Sequence, residues 1–255
     1  MFFYANFILS IFPLLFTNPM RIDSVVHLLK KISADLKSGH PLENVIQREN
    51  LHAHFHPEAE IRSEVIILAG KGGKLSRKEK EEWLPFVHQM LSGFKGTVIS
   101  GGTSSGIPGL AGEIALDLLK QGKKAFNLTG YLPENLPDGI MRSSGYDQFL
   151  TSTAKDFSLE DVLNYWVDIL LHGIYPEKVQ LIGIGGGSLA YSEYRLALEL
   201  GAKVTFLRDS GGSVRKILED PFWSGFTHFL SGDLSVSRKE SDIIGYFEER
   251  PGETC

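Results

Sequence analysis

The chain has 255 residues, 42% of them apolar, enough to bury one large core or two small ones. Its 26 basic and 31 acidic residues leave a formal charge of −5 with no Lys/Arg block, which disfavours a nucleic-acid-binding surface. The single cysteine, Cys255, excludes an intrachain disulfide framework and suits a reducing, cytoplasmic compartment.

Residues 1–20 (MFFYANFILSIFPLLFTNPM) carry no charge. They lack the basic flank and small-residue cleavage site of a secretory signal, and the apolar run is short for a bilayer span and broken by Pro13. Three readings stand: an arm that packs or associates weakly with a membrane through residues 1–16, a true start at Met20, or a cleaved signal. If the segment anchors, the following Arg21, Lys30 and Lys31 keep the body cytoplasmic. Residues 21–62 read as a helical preface and linker. Val25, Leu28, Leu29, Ile32 and Leu36 share one helical face, and Gly39 is a stop. In the linker, His52, His54 and His56 alternate, which in an extended chain sets three imidazoles on one side. With no cysteine beside them they read as a solvated linker, and no metal site is assigned.

Residues 63–255 read as one domain. The continuous apolar run EVIILAG predicts a strand covered on both faces. A helix over 76–91, strand TVIS, a helix over 108–119, strand KAFNLTG, a loop with Pro133, Pro137 and Gly139, and a helix over 159–170 follow. Strand VQLIGIG, a helix over 189–200, strand KVTFL and a short helix near 214–218 continue the alternation. The pattern predicts an α/β, Rossmann-like, doubly wound and mostly parallel sheet with helices on both faces. Ligands of such sheets bind beyond the carboxyl ends of the strands. There the chain places four loops: Gly70, Lys71, Gly72 with Gly73 and Lys74; Gly101, Gly102, Thr103, Ser104, Ser105, Gly106; Gly185, Gly186, Gly187, Ser188; and Ser210, Gly211, Gly212, Ser213, Arg215. Glycine lets amides approach an anion, helix amino ends favour negative charge, and hydroxyls add donors, so the set points to a phosphorylated ligand. Neither a Walker pattern nor a strict dinucleotide fingerprint is present.

At these residues the chain resembles the SLOG superfamily, the Rossmann-like group that includes the LOG phosphoribohydrolases and DprA-like proteins. More narrowly it is similar to the prokaryotic branch of the LSDAT family, relatives of the N-terminal domains of melastatin-type TRP channels. The similarity lies in VISGGTSSGIPGLAGEIA and FLRDSGGSVRKIL and covers roughly residues 64–233. It implies sensing of an NAD-derived nucleotide such as ADP-ribose, with no further cofactor. It also implies phosphate contacts from Gly101, Gly102, Thr103 and Gly106, and contacts from the other side by Gly211, Gly212, Ser213 and Arg215. Related folds are commonly homodimers. The LOG enzymes carry Pro-Gly-Gly-x-Gly-Thr-x-x-Glu. Here Gly186 and Gly187 match the pair and Glu193 the acid, while Leu189 and Ala190 replace the second Gly-Thr and Gly185 the proline. Glu193 then accepts a ribose hydroxyl. In the alternative, a nucleotide N-glycosidase of LOG type, it is catalytic, together with Arg142 after Met141.

Overall fold

The computed structural model describes residues 20–39, 55–62, 64–152, 154–221 and 243–246. The apolar segment 1–16 and two of the linker histidines, His52 and His54, lie outside them. The chain divides into two compact units, 1–52 and 53–255. In the first, α1 (Met20–Lys37) carries Val26, Leu29 and Ile32 at helical spacing, and the chain turns at Gly39 with φ 80°.

The second unit contains β1 (Val65–Gly70), α2 (Arg77–Leu91), β2 (Thr97–Ser100), α3 (Gly106–Lys120), β3 (Asn127–Pro133), β4 (Gln148–Ser152) and α4 (Leu159–Leu171). A 3-10 turn (Pro176–Lys178), β5 (Val179–Ile184), α5 (Ser188–Leu200), β6 (Lys203–Leu207), α6 (Gly212–Glu219) and β7 (Ile243–Tyr246) follow. The strands form one sheet in the order β4-β3-β2-β1-β5-β6-β7. The first six are parallel, and β7 lies antiparallel on β6. This is the expected α/β, Rossmann-like fold.

Side chains alternate across the sheet because successive Cβ atoms point to opposite faces. Ile66, Leu68, Val98, Leu128 and Ile182 pack with Trp83 and Val87 of α2 and with Leu110, Ile114 and Leu118 of α3. α4 and α5 cover the other face, against β3, β4 and β5. Each large aliphatic buried this way contributes roughly 1.5–3 kcal/mol by leaving water. Ser76 and Ser158 each close a capping box, on α2 and α4, so those amino ends are satisfied by their own sequence.

Three details differ from the sequence reading. The third strand lies at Asn127–Pro133, three residues later than KAFNLTG, and α3 begins at Gly106, ahead of Pro108. Pro108 fits inside the first turn because amides there have no intrahelical partner. The strand β4 was not foreseen. It ends the sheet and is only half covered, so it lacks the unbroken apolar run that marked the others.

The connector 55–62 also departs from expectation. His56 is not solvated: it is 3% exposed and donates its backbone N–H to Asp168 Oδ1 at 2.8 Å. Beyond it the connector crosses the amino ends of three strands in turn. Gln148 of β4 bonds Glu58 and Glu60, Asn127 of β3 bonds Glu60, and Thr97 of β2 bonds Glu60 and Arg62.

Candidate functional site

Strand order reverses between β1 and β5: β1 leads through α2 on one face, β5 through α5 on the other. The loops diverge there and open a crevice, the place where such sheets hold ligands. A cavity of about 450 Å³ fills it. Its lining comes from the loops after β1, β2, β3, β4 and β5 and includes Gly70, Gly72, Gly101, Thr103, Gly187, Ser188 and Glu193 among the expected residues. Gly73 of the same first loop lines it as well, as do Tyr131, Phe157, Asp161 and Tyr165, which were not foreseen. Asp161 is the fourth residue of the Ser158 capping box, a motif legible in sequence. Its arrival at this edge depends on β4, whose omission hid the loop that follows.

The glycines divide into two kinds. At Gly70 (φ 154°) a Cβ would lie 2.1 Å from the Ile184 carbonyl oxygen, and at Gly106 (φ 63°) 2.1 Å from that of Lys71. At Gly102 (φ 70°) it would press on Leu132 at 3.0 Å. Gly212 (φ 55°) would meet the Gly186 oxygen at 2.4 Å, and Gly186 (φ 95°) the Ala190 side chain at 2.4 Å. Positive φ demands glycine at all of these, with close backbone approach added at Gly70, Gly106 and Gly212. Gly72, Gly73 and Gly187 are different. None has a positive φ, none has an atom within 4 Å of a Cβ position, and all three face the cavity.

The helix ends beside the cavity divide likewise. At α3 the Ile107 N–H donates to Lys71 O at 2.8 Å, Pro108 has no N–H, and the Gly109 N–H donates to Ser105 O at 3.0 Å. The preceding loop is strapped by residues 141–143: the Ser104 N–H donates to Met141 O at 2.8 Å, and the Ser143 N–H to Gly102 O at 2.9 Å. At α5 the cap is Gly187, which has no side chain to accept the first amides, and the first bond inward is Tyr191 N–H to Gly187 O at 3.0 Å. Ser188, Leu189 and Ala190 of that first turn line the cavity.

No protein-family model matches the chain, and no curated protein matches it. Among solved structures, the X-ray structure of TM1055 is 19% identical, with 60% of this chain and 80% of that one covered at a TM-score of 0.42. The Moco carrier protein from Chlamydomonas reinhardtii is 18% identical, with 56% and 75% covered at a TM-score of 0.39.

The second motif lies behind the cavity, outside its lining. Ser210 Oγ accepts from the Gly185 N–H at 2.8 Å and donates to Leu207 O at 2.6 Å. Ser213 donates its hydroxyl to the carbonyls of the Gly186–Gly187 turn, and its N–H bonds Gly186 O at 3.0 Å. Gly211 and Gly212 turn the chain so that α6 starts against that loop, and Arg215 is exposed. Lys71 points away to Glu79, with contacts of 2.7 and 2.9 Å that lower the Glu79 carboxyl to about 2. Arg142 lies 5.3 Å over the Phe149 ring, while its backbone pairs with Thr103.

The cavity's own charge is acidic. Tyr165 donates to Glu193 Oε1 at 2.7 Å. Burial pushes the Glu193 carboxyl up to about 7, with the nearby Asp161 adding to the rise and the Tyr165 bond opposing it. Burial also raises Asp161, although it accepts from the Ser152 hydroxyl and from the Ser158 N–H at 2.9 Å. No lysine, arginine or histidine is among the lining residues. No group of three or more His, Cys, Asp or Glu among the described residues is placed to hold a metal. No helix among them is long and apolar enough to cross a membrane.

Proposed function

We propose that this chain is a nucleotide-binding module of SLOG type that holds an NAD-derived nucleotide, ADP-ribose or a close relative, in the crevice between β1 and β5. The observation that carries this is the uncapped first turn of α5, opening through Gly187 onto the cavity. A phosphate there would meet amides and the positive end of the helix. Gly72 and Gly73 across the cavity leave room that the fold itself does not use. A ribose hydroxyl would donate to Glu193, and the base would lie against Phe157, Ile140 and Leu189, which line the same space.

A second reading has its own support. A carboxyl near neutrality, oriented by a tyrosine, suits acid–base work at a ribose, where water cleaves an N-glycosidic bond to release the free base and the sugar phosphate. Titration calorimetry with AMP and ADP-ribose, followed by chromatography of the recovered ligand, tests both. Binding with intact nucleotide recovered is the expected result. Binding of neither sinks the nucleotide reading, and base release that vanishes in Glu193→Gln replaces the sensor by the hydrolase.

A further inference from the structure

A buried polar cluster lies on the side of α4 toward the connector and touches the cavity only through Tyr131. Asp168 of α4 has a side chain with no exposure, and three donors converge on it. The His56 backbone N–H reaches Oδ1 at 2.8 Å, while His56 Nδ1 and the Tyr131 hydroxyl share Oδ2 at 2.8 and 2.7 Å. His56 Nε2 lies 3.2 Å from Thr151 O of β4, and Phe55 packs on His172 just past α4, with ring centroids 5.7 Å apart. Buried carboxylates are costly unless fully bonded, so these three bonds stand or fall together.

Tyr131 joins this cluster to the cavity. Its ring lines the cavity and meets Tyr165 edge-on at 5.7 Å, and Tyr165 in turn bonds Glu193 at 2.7 Å. A continuous chain of contacts thus runs from the connector to the floor of the pocket: His56, Asp168, Tyr131, Tyr165, Glu193. The strands at the centre of the sheet, β1 and β5, contribute none of these side chains.

We propose that residues 55–62 are a latch on the pocket wall, in which His56 and Asp168 act as positioning residues for Tyr131 and Tyr165. Detaching the connector removes two of the three donors that hold Asp168 and leaves only the Tyr131 hydroxyl. The carboxylate then reorients toward water or toward Tyr131, and the wall formed by Tyr131 and Tyr165 loses its fixed place. The coupling is reciprocal by thermodynamic necessity. It does not depend on which ligand the pocket takes.

Amide hydrogen exchange read by mass spectrometry on the full chain tests it. The proteins are wild type, His56→Leu, which removes the ring donor, and His56→Asn, whose side-chain amide keeps a donor toward Asp168. In His56→Leu, exchange is expected to quicken at least tenfold in 55–62 and also in the wall, β3 and the first turns of α4, with β1 and β5 unchanged. In His56→Asn both regions are expected to stay within about threefold of wild type. Quickening confined to 55–62 would overturn the latch, since the connector would then be a mere surface attachment. Equal quickening in β1 and β5 would overturn it too, as general destabilisation. Tyr131→Phe, which deletes only the hydroxyl, probes the opposite direction and covers the case in which His56→Leu does not fold. It is expected to quicken exchange in 55–62, and an unchanged connector would again sink the proposal.

Discussion

At residues 101–106 backbone meets backbone: the amides around the glycines are bonded to Met141 and Lys71, and Gly102 and Gly106 sit at positive φ against close neighbours. At residues 185–190 the same kind of strand-to-helix turn ends in a glycine facing open space and a helix whose first amides face a cavity. Both stretches read alike as sequence. They differ in their last glycine: Gly106 is required by the fold, whereas Gly187, after the fold-required Gly185 and Gly186, leaves room that the fold does not use. The difference teaches that a glycine-rich turn marks close approach of something, and that at residues 101–106 the something is the protein's own chain.

The widest test of that contrast is Gly106→Ala against Gly187→Ala. The first puts a Cβ 2.1 Å from the Lys71 oxygen at φ 63° and is expected to cost on the order of 3 kcal/mol or more in a urea titration. The second has open space and a negative φ and should stay within about 0.5 kcal/mol of wild type. Equal losses would erase the distinction between the two turns.

Gly187→Val sharpens the same contrast on the ligand side. Its side chain would stand where a phosphate approaches the α5 amides, so nucleotide affinity should fall at least tenfold, about 1.4 kcal/mol, while the fold holds. Calorimetry showing wild-type affinity in this variant would move the ligand elsewhere.

Glu193 supplies a pH test. Its folded value of about 7 lies above its ordinary 4.5, so the fold favours the neutral carboxyl. That stabilisation is complete below the unfolded value and is lost as pH rises through about 7. Thermal melts of wild type should therefore show a component of decline between about pH 4.5 and 7, about 2 °C or more, that Glu193→Gln removes. A decline of the same size in the variant would mean that Glu193 is already ionised in the fold.

Arg215→Ala is expected to do least. The side chain is exposed and outside the cavity lining, so both stability and affinity should stay within about 0.5 kcal/mol. A tenfold weaker affinity would show that the second motif reaches the ligand after all. In that case its turn could not be classed as a brace behind the loop.

Much of the architecture was legible because periodicity records burial. The unbroken runs of β1, β2, β5 and β6 and the helical stripes of α2 to α5 each reflect one local environment, and the parallel sheet follows from their alternation. β4 was missed for the same reason: an edge strand with one covered face has no such run. The loops at the carboxyl edge were legible too, since topology alone sends every βα turn to one side.

What the residues by themselves determined is therefore the sheet, its loop-bearing carboxyl edge, and the presence there of glycine, hydroxyl and a single acid, Glu193. Tertiary structure alone decided which amides are occupied and which are open. It turned the Ser210–Ser213 turn into a brace for the loop after β5. It also buried His56 against an aspartate 112 positions away and brought Asp161 beside Glu193. Local sequence encodes the conformations a segment prefers, but the partner of a hydrogen bond and the solvation of a carboxylate depend on neighbours distant in the chain, which exist only once the sheet has closed over them.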